Sequence, residues 1–233
     1  AGKRYLLRIV NVGALACGHF HIEGYTLNVV ETDGVQVQST PADTIVICAG
    51  QSYGVVVQGK PASMGSSANA NYIVKLRTDM LTSKIPSANQ ITIIGNFVQS
   101  LLNIITNILT ISWVPVATFD DFNLKPLDGQ QLLSPVDNKI ELATNQTYYP
   151  GIGTRIGLGP QPWVPAQVPS LLSALSTGSA AMDPATYGPG VNPWVVKSGQ
   201  IVQIHLQNSH PYPHPMHLHG HIFQLVARGL GSW

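Results

Sequence analysis

Residues 25–34 read YTLNVVETDG, a run of aromatic and β-branched residues that breaks on Asp33 and Gly34. Side chains branched at Cβ are stiff at χ1 and suit a pleated sheet, whereas Asp and Gly accept the conformations that end a strand. The same pattern recurs on both sides. YLLRIVNV (Tyr5–Val12) precedes it, and TIVICAG (residues 44–50) and YGVVVQG (residues 53–59) follow at short, fairly even intervals. Strands of this length, punctuated by Gly, Asp and Pro, predict an all-β sandwich or barrel.

The pattern continues in NYIVKLRTD (residues 71–79), after the small-residue loop GSSANAN, and in ILTISWV (residues 108–114). FDDFNLKPLDGQQLLSPVD (residues 119–137) reads as a linker, with turn signals at Pro126, Asp128-Gly129 and Pro135. A second unit opens near NKIELAT (residues 138–144). The Gly/Pro-rich YYPGIGTRIGLGPQPWVP (residues 148–165) has no periodicity and reads as an ordered loop. VPSLLSALSTG (residues 168–178) predicts one short helix, with Pro169 at its start and Gly178 just past its end. WVVKSGQIVQIHLQNS (residues 194–209) reads as strand, turn at Ser198-Gly199, and strand, with His205 alternating among apolar neighbours as a packed residue.

Composition narrows the function classes. Hydrophobic residues make up 44% of the 233, ample for a core. Charged residues are only 10%, against roughly 25% in typical soluble domains, so much of the surface is neutral polar, glycosylated or covered. A net charge of +1 gives no support for nucleic-acid binding through a basic face. The longest apolar stretch, Leu101–Val116, is interrupted by Asn103, Thr106, Asn107, Thr110 and Ser112 and is no membrane segment. The opening AGKRYLLRIV starts almost inside a strand and reads as the start of a mature or cut chain. Cys17 and Cys48 lack CxxC spacing, which argues against a zinc knuckle or redox pair; a disulfide between neighbouring strands and two buried free thiols both stay open. NQT at Asn145–Thr147 is the one N-glycosylation sequon.

Chemistry concentrates in HPYPHPMHLHGHIF (residues 210–223), which holds five of the eight histidines. Read as a strand, MHLHGHIFQLVA (residues 216–227) points His217, His219 and His221 to one face. Imidazoles stacked on one face repel when protonated and need hydrogen-bond partners when neutral and buried; a bound metal removes both problems. Pro211, Pro213 and Pro215 hold the approach extended, so His214 can serve a different centre from His217 and His219. Gly220 leaves room for a close backbone approach on the opposite face. Imidazole suits Cu, Zn, Fe and Ni alike, so residue type alone does not choose the metal.

HPMHLHGHIF (residues 214–223) resembles a copper-binding motif of the multicopper oxidases, the family of laccases, ascorbate oxidases and ferroxidases. The resemblance implies copper as cofactor, with His214 on the type 1 copper, His217 on the type 2 copper and His219 on one copper of the type 3 pair. His221 falls where the family has no ligand. YLLRIVNVGALACGHFHIEGYTLNVVETDGV (residues 5–35) is similar to the start of the family's second cupredoxin domain, and FDDFNLKP and VPSLLSALSTG resemble fungal members. The implied architecture is two Greek-key cupredoxin-like β-sandwich domains with one short helix. Residues 1–118 form the first, 119–135 a linker, and 136–233 the second, which is incomplete at its C-terminus.

The family's other copper motifs, HWHG, HSH and HCHxxxH, do not occur here, so the type 1 thiolate and most type 2 and type 3 ligands would come from outside these residues. The remaining domains or a companion chain are the partners this implies. His19 and His21 in HFHIE have ligand-like spacing, but the resemblance places them near the substrate pocket as structural residues. Glu23 falls where laccases carry a carboxylate that takes a proton from a phenol and ferroxidases carry one for iron; a solvated loop carboxylate is the plainer reading. The expected function is a secreted, laccase-like oxidase coupling one-electron oxidation of phenolic donors to four-electron reduction of O2. A ferroxidase is the first alternative: Glu23, Asp120 and Asp121 favour it, while His210, standing where ferroxidases carry an acid, opposes it. A non-catalytic copper-binding or structural cupredoxin module is the second.

Overall fold

The computed structural model of the protein describes residues 2–14, 16–64, 70–76, 92–97 and 119–231. The sequence-predicted strand at residues 108–114 and the apolar stretch at 101–116 lie outside them. Two compact units are present, one formed by Ala1–Leu132 with His214–Trp233 and the other by Leu133–Pro213.

Among the described residues the first unit holds eight strands: β1 (Arg4–Val10), β2 (Gly18–Ile22), β3 (Leu27–Thr32), β4 (Val35–Ala42), β5 (Thr44–Ile47), β6 (Ser52–Gln58), β7 (Ala70–Leu76) and β8 (Thr92–Phe97). They make two antiparallel sheets, in the orders β1-β6-β3-β4 and β5-β2-β7-β8. Alternate residues turn inward from both. Leu27 and Val29 on β3, Ile45 on β5, and Val55 and Val57 on β6 have no exposed surface, and Phe20 and Ile22 on β2 join them. Each such side chain contributes roughly 1.5–3 kcal/mol over leaving it in water.

Two details follow directly from residue type. Asp33 and Gly34 join β3 to β4 as a two-residue hairpin, and both take positive φ, 46° and 84°, as a type I′ turn requires. Asp33 also accepts the Ser52 backbone N–H on Oδ1 at 2.7 Å. Further along β3 the pairing shifts between Val29 and Glu31 on both sides, a bulge that re-aims Glu31. Arg8, Gly54 and Glu31 then lie in one row across β1, β6 and β3. A Cβ on Gly54 would sit 2.8 Å from that of Glu31; without one, Arg8 Nη1 reaches over to Glu31 Oε2 at 3.3 Å. Because the Arg8 side chain is 69% exposed, the pair adds no more than about 1 kcal/mol.

In the second unit β9 (Asn138–Tyr149) lies between β10 (Gly153–Leu158), antiparallel to it, and β11 (Val202–Gln207), parallel to it. Helix α1 (Ser170–Ser176) follows Pro169 and ends before Gly178 at φ 59°, as the sequence predicts. The all-β class is thus met, with one short α-helix among the described residues.

Three local expectations are overturned. Residues 153–158 form strand β10 rather than loop. Its four side chains, on Thr154, Arg155, Ile156 and Leu158, are all exposed, so no inside–outside alternation marked them, and a hairpin register opposite β9 supplies the ladder instead. Residues 194–196 form no strand; only the second half of that segment, β11, does. Residues 216–227 are not a strand either, and His219-Gly220 is a turn with Gly220 at φ 77°. A strand is a property of pairing, and no described residues pair with this segment.

Candidate metal-binding segment

The turn at His219-Gly220 replaces the one-faced histidine array that a strand would have made. His214 is half-buried, while His217, His219 and His221 are exposed. The His217 and His219 rings meet edge to face at 5.8 Å between centroids. His217 lies against a second turn, Cys48–Gln51, closed by the Gln51 N–H donating to the Cys48 carbonyl at 2.9 Å. Gly50 takes φ 82° there, and a Cβ on it would sit 3.4 Å from His217 Nδ1. Glycine takes that positive φ without strain, and a Cβ there would make only ordinary contact with the ring.

Imidazole nitrogen is a donor that copper accepts. His214, His217 and His219 offer three such donors on a proline-framed segment. Among the described residues no three His, Cys, Asp or Glu side chains converge on one point. By donor type these three imidazoles suit copper, but they do not by themselves form a closed site among the described residues. Neither cysteine adds to them. Cys17 precedes β2 and Cys48 follows β5, one step beyond the Gly18↔Ile47 pair, and the two form a disulfide with Cα atoms 3.8 Å apart. The disulfide reading of the pair holds over the free-thiol one.

Glu23 sits half-buried on the turn that leaves β2, where the Tyr25 N–H donates to the Ile22 carbonyl at 3.1 Å and Gly24 takes φ 69°. Lys60 Nζ lies over the Tyr25 ring at 4.5 Å, so this turn has a cation beside it. His21 is buried and its Nδ1–H donates to the Asp43 carbonyl at 2.9 Å, which sets the tautomer of the ring. In the second unit His205 is a half-buried strand residue whose Nδ1 is bound to Glu141, directly opposite on β9. His210 stacks at a tilt on Tyr212, centroids 5.2 Å apart. Asn145 is half-buried within β9; its amide donates to the Pro160 carbonyl at 3.1 Å, and Thr147 donates to its oxygen at 3.1 Å.

Sequence reading missed Arg228. Its Nη1 donates to Asp121 Oδ1 at 2.7 Å and its Nη2 bonds Asp120 Oδ1. Burial acts to lower the guanidinium, but the hydrogen bond and charge of Asp121, together with the charge of Asp120, outweigh it and hold the group above its ordinary value. Opposite charge was the only signal in the sequence, and a separation of 107 residues hid it. Behind the pair, the buried Tyr53 hydroxyl donates to Asp121 Oδ2 at 3.5 Å.

Burial, then the charges of Asp121 and Asp33, push the Tyr53 hydroxyl far above the ordinary 10.0. The unfolded chain releases this proton near the ordinary value and the folded chain keeps it. Stability from this group is therefore complete below that pH and declines as pH climbs towards the higher folded value. Denaturant midpoints measured at neutral and strongly alkaline pH are expected to fall less in Tyr53→Phe than in the parent. An equal alkaline loss in both would show that Tyr53 titrates like an exposed tyrosine.

Two family models described as multicopper oxidase match the chain, over residues 1–100 and residues 163–233. The iron transport multicopper oxidase FET3 of Candida albicans is 33% identical over 97% of this chain and 36% of its own length. The iron transport multicopper oxidase fetC of Epichloe festucae is 31% identical over 100% of this chain and 37% of its own. The crystal structure of Fet3p, a multicopper oxidase that functions in iron import, superposes with a TM-score of 0.78 at 27% identity, over 89% of this chain and 38% of that one. The chain spans little more than a third of the length of the curated relatives it matches.

Proposed function

The chain belongs to the multicopper oxidase family, and from that premise we propose that the whole protein is an iron-oxidising member, taking electrons from Fe(II) and reducing dioxygen to water. The observation that carries this reading is that relatives matched across essentially the whole chain, and a solved structure that superposes on most of it, are iron transport or iron import oxidases. The phenol-oxidising, laccase-like reading takes second place. One observation favours it: His210, not a carboxylate, stands four residues before His214.

Copper, when bound, supplies one-electron acceptance from the donor and the reduction of dioxygen. In this reading His214, His217 and His219 present imidazole nitrogens to it, with the thiolate and the other ligands coming from the remaining domains or a companion chain. Glu23 is the donor-side group. Its carboxylate is an anionic oxygen ligand, a donor Fe(II) accepts alongside imidazole, and the β2 turn holds it half-buried rather than free in solvent. The Cys17–Cys48 disulfide supports an extracellular or secreted location, since such bonds persist in oxidising compartments. Among the described residues no helix is long and apolar enough to cross a membrane.

Glu23→Gln in the whole enzyme keeps shape and hydrogen bonding but removes the charge. Loss of one charge-assisted contact, worth roughly 1.5–3 kcal/mol, predicts a fall of about ten- to a hundredfold in kcat/KM for Fe(II). Copper content should not change. Phenol oxidation falling while iron turnover holds would return the laccase-like reading to first place; identical kinetics on both donors would leave Glu23 a plain loop carboxylate.

A further inference from the structure

We propose that Arg228 is a positioning residue, clamping the histidine-bearing segment onto Asp120 and Asp121 and so fixing where His214, His217 and His219 are presented. The segment from residue 208 to 231 belongs to no strand, and no described residue forms a ladder with it. Side chains do that work instead. Gln224 Nε2 donates to the Gln131 carbonyl at 3.0 Å, His217 rests on the Gly50 turn, and Arg228 takes one carboxylate on each terminal nitrogen.

The two acids are in place independently of the arginine. Asp120 Oδ1 accepts the Phe122 N–H at 3.1 Å and caps the 3-10 helix Asp121–Asn123. Asp121 Oδ2 accepts the hydroxyl of Tyr53, a core residue of β6 whose ring also meets Phe119 edge-on at 6.1 Å. The Phe122 ring lies 6.0 Å below the guanidinium. A planar cation with two fixed forks is what arginine matches and lysine does not. The same geometry engages Asp120 and Asp121 with Arg228, so they act as its anchor rather than as metal ligands. The link from clamp to copper rests on the reading of the histidines given above.

The test is hydrogen exchange on the full-length holoprotein, followed in peptides covering residues 214–228, with copper release to a chelator measured in parallel. The Arg228 side chain is 50% exposed, and an exposed pair is worth at most about 1 kcal/mol, so Arg228→Ala should speed exchange there about fivefold. Asp120→Asn with Asp121→Asn should do the same, and adding Arg228→Ala to them should change nothing further. Arg228→Lys should restore only part of the protection. Copper release should quicken by a similar factor; faster exchange with unchanged copper release upholds the clamp and removes the histidines from the copper site. Unchanged exchange in Arg228→Ala, additive effects of the two sets of substitutions, or a raised Fe(II) KM with normal exchange in the aspartate variants overturns the clamp.

Discussion

Replacing Cys17 and Cys48 together by alanine should lower the unfolding free energy by about 3–4 kcal/mol. The bond closes a loop with a sequence separation of 31 residues, and cross-linking a loop of that length removes roughly 12 cal/mol/K of entropy from the unfolded chain. Its place in the sheet adds to the effect. Cys17 and Cys48 stand opposite each other where β2 and β5 end, and Cys17 is buried, so alanine there also forfeits packing. Cys48 further begins the turn whose Gly50 receives His217, so the loss should reach the histidine segment. Denaturant midpoints of the oxidised parent and of Cys17→Ala/Cys48→Ala measure the difference. A change under about 1 kcal/mol would mean that the sheet register holds these ends together without the bond.

Much of the first unit was legible because its strands obey local rules. YTLNVVETDG declared both a strand and its turn, and the positive φ angles of Asp33 and Gly34 are what that dipeptide is for. Each of the four runs from YLLRIVNV to YGVVVQG became a strand, usually trimmed at the ends. YLLRIVNV is a strand as far as Val10; Asn11 beyond it keeps a backbone bond to the Gln51 carbonyl at 3.1 Å, while its side-chain amide donates to the Ala16 and Ile47 carbonyls and ties the turn together. What failed was long-range or pattern-free. Strand β10 has only exposed side chains and carries no period to detect. The histidine segment has the alternation of a strand, yet no strand among the described residues pairs with it. In the site, motif spacing nominates His214, His217 and His219 as ligands, but nothing local ties Arg228 to a pair of aspartates 107 and 108 residues away.

Residues 1–233 prepared alone and loaded with Cu(II) should show no intense blue absorption. That colour arises from charge transfer in a trigonal site of two histidines and a cysteine thiolate. The proposed reading assigns His214 to such a site, but both cysteines of the chain are spent on the disulfide and neither has a thiolate to give. Copper should instead bind weakly to imidazole nitrogen, principally at the exposed His217 and His219, whose rings lie 5.8 Å apart. Substituting either by alanine should reduce that binding, whereas Cys17→Ala/Cys48→Ala should leave its spectrum unchanged. Titration followed by visible absorption distinguishes the cases. A strong band in the parent that vanishes in Cys17→Ala/Cys48→Ala would identify one of these cysteines as a copper ligand and overturn the assignment of the pair to the sheet. A band that appears only when the remaining domains are present would place the thiolate outside these residues, where the donor set needs it.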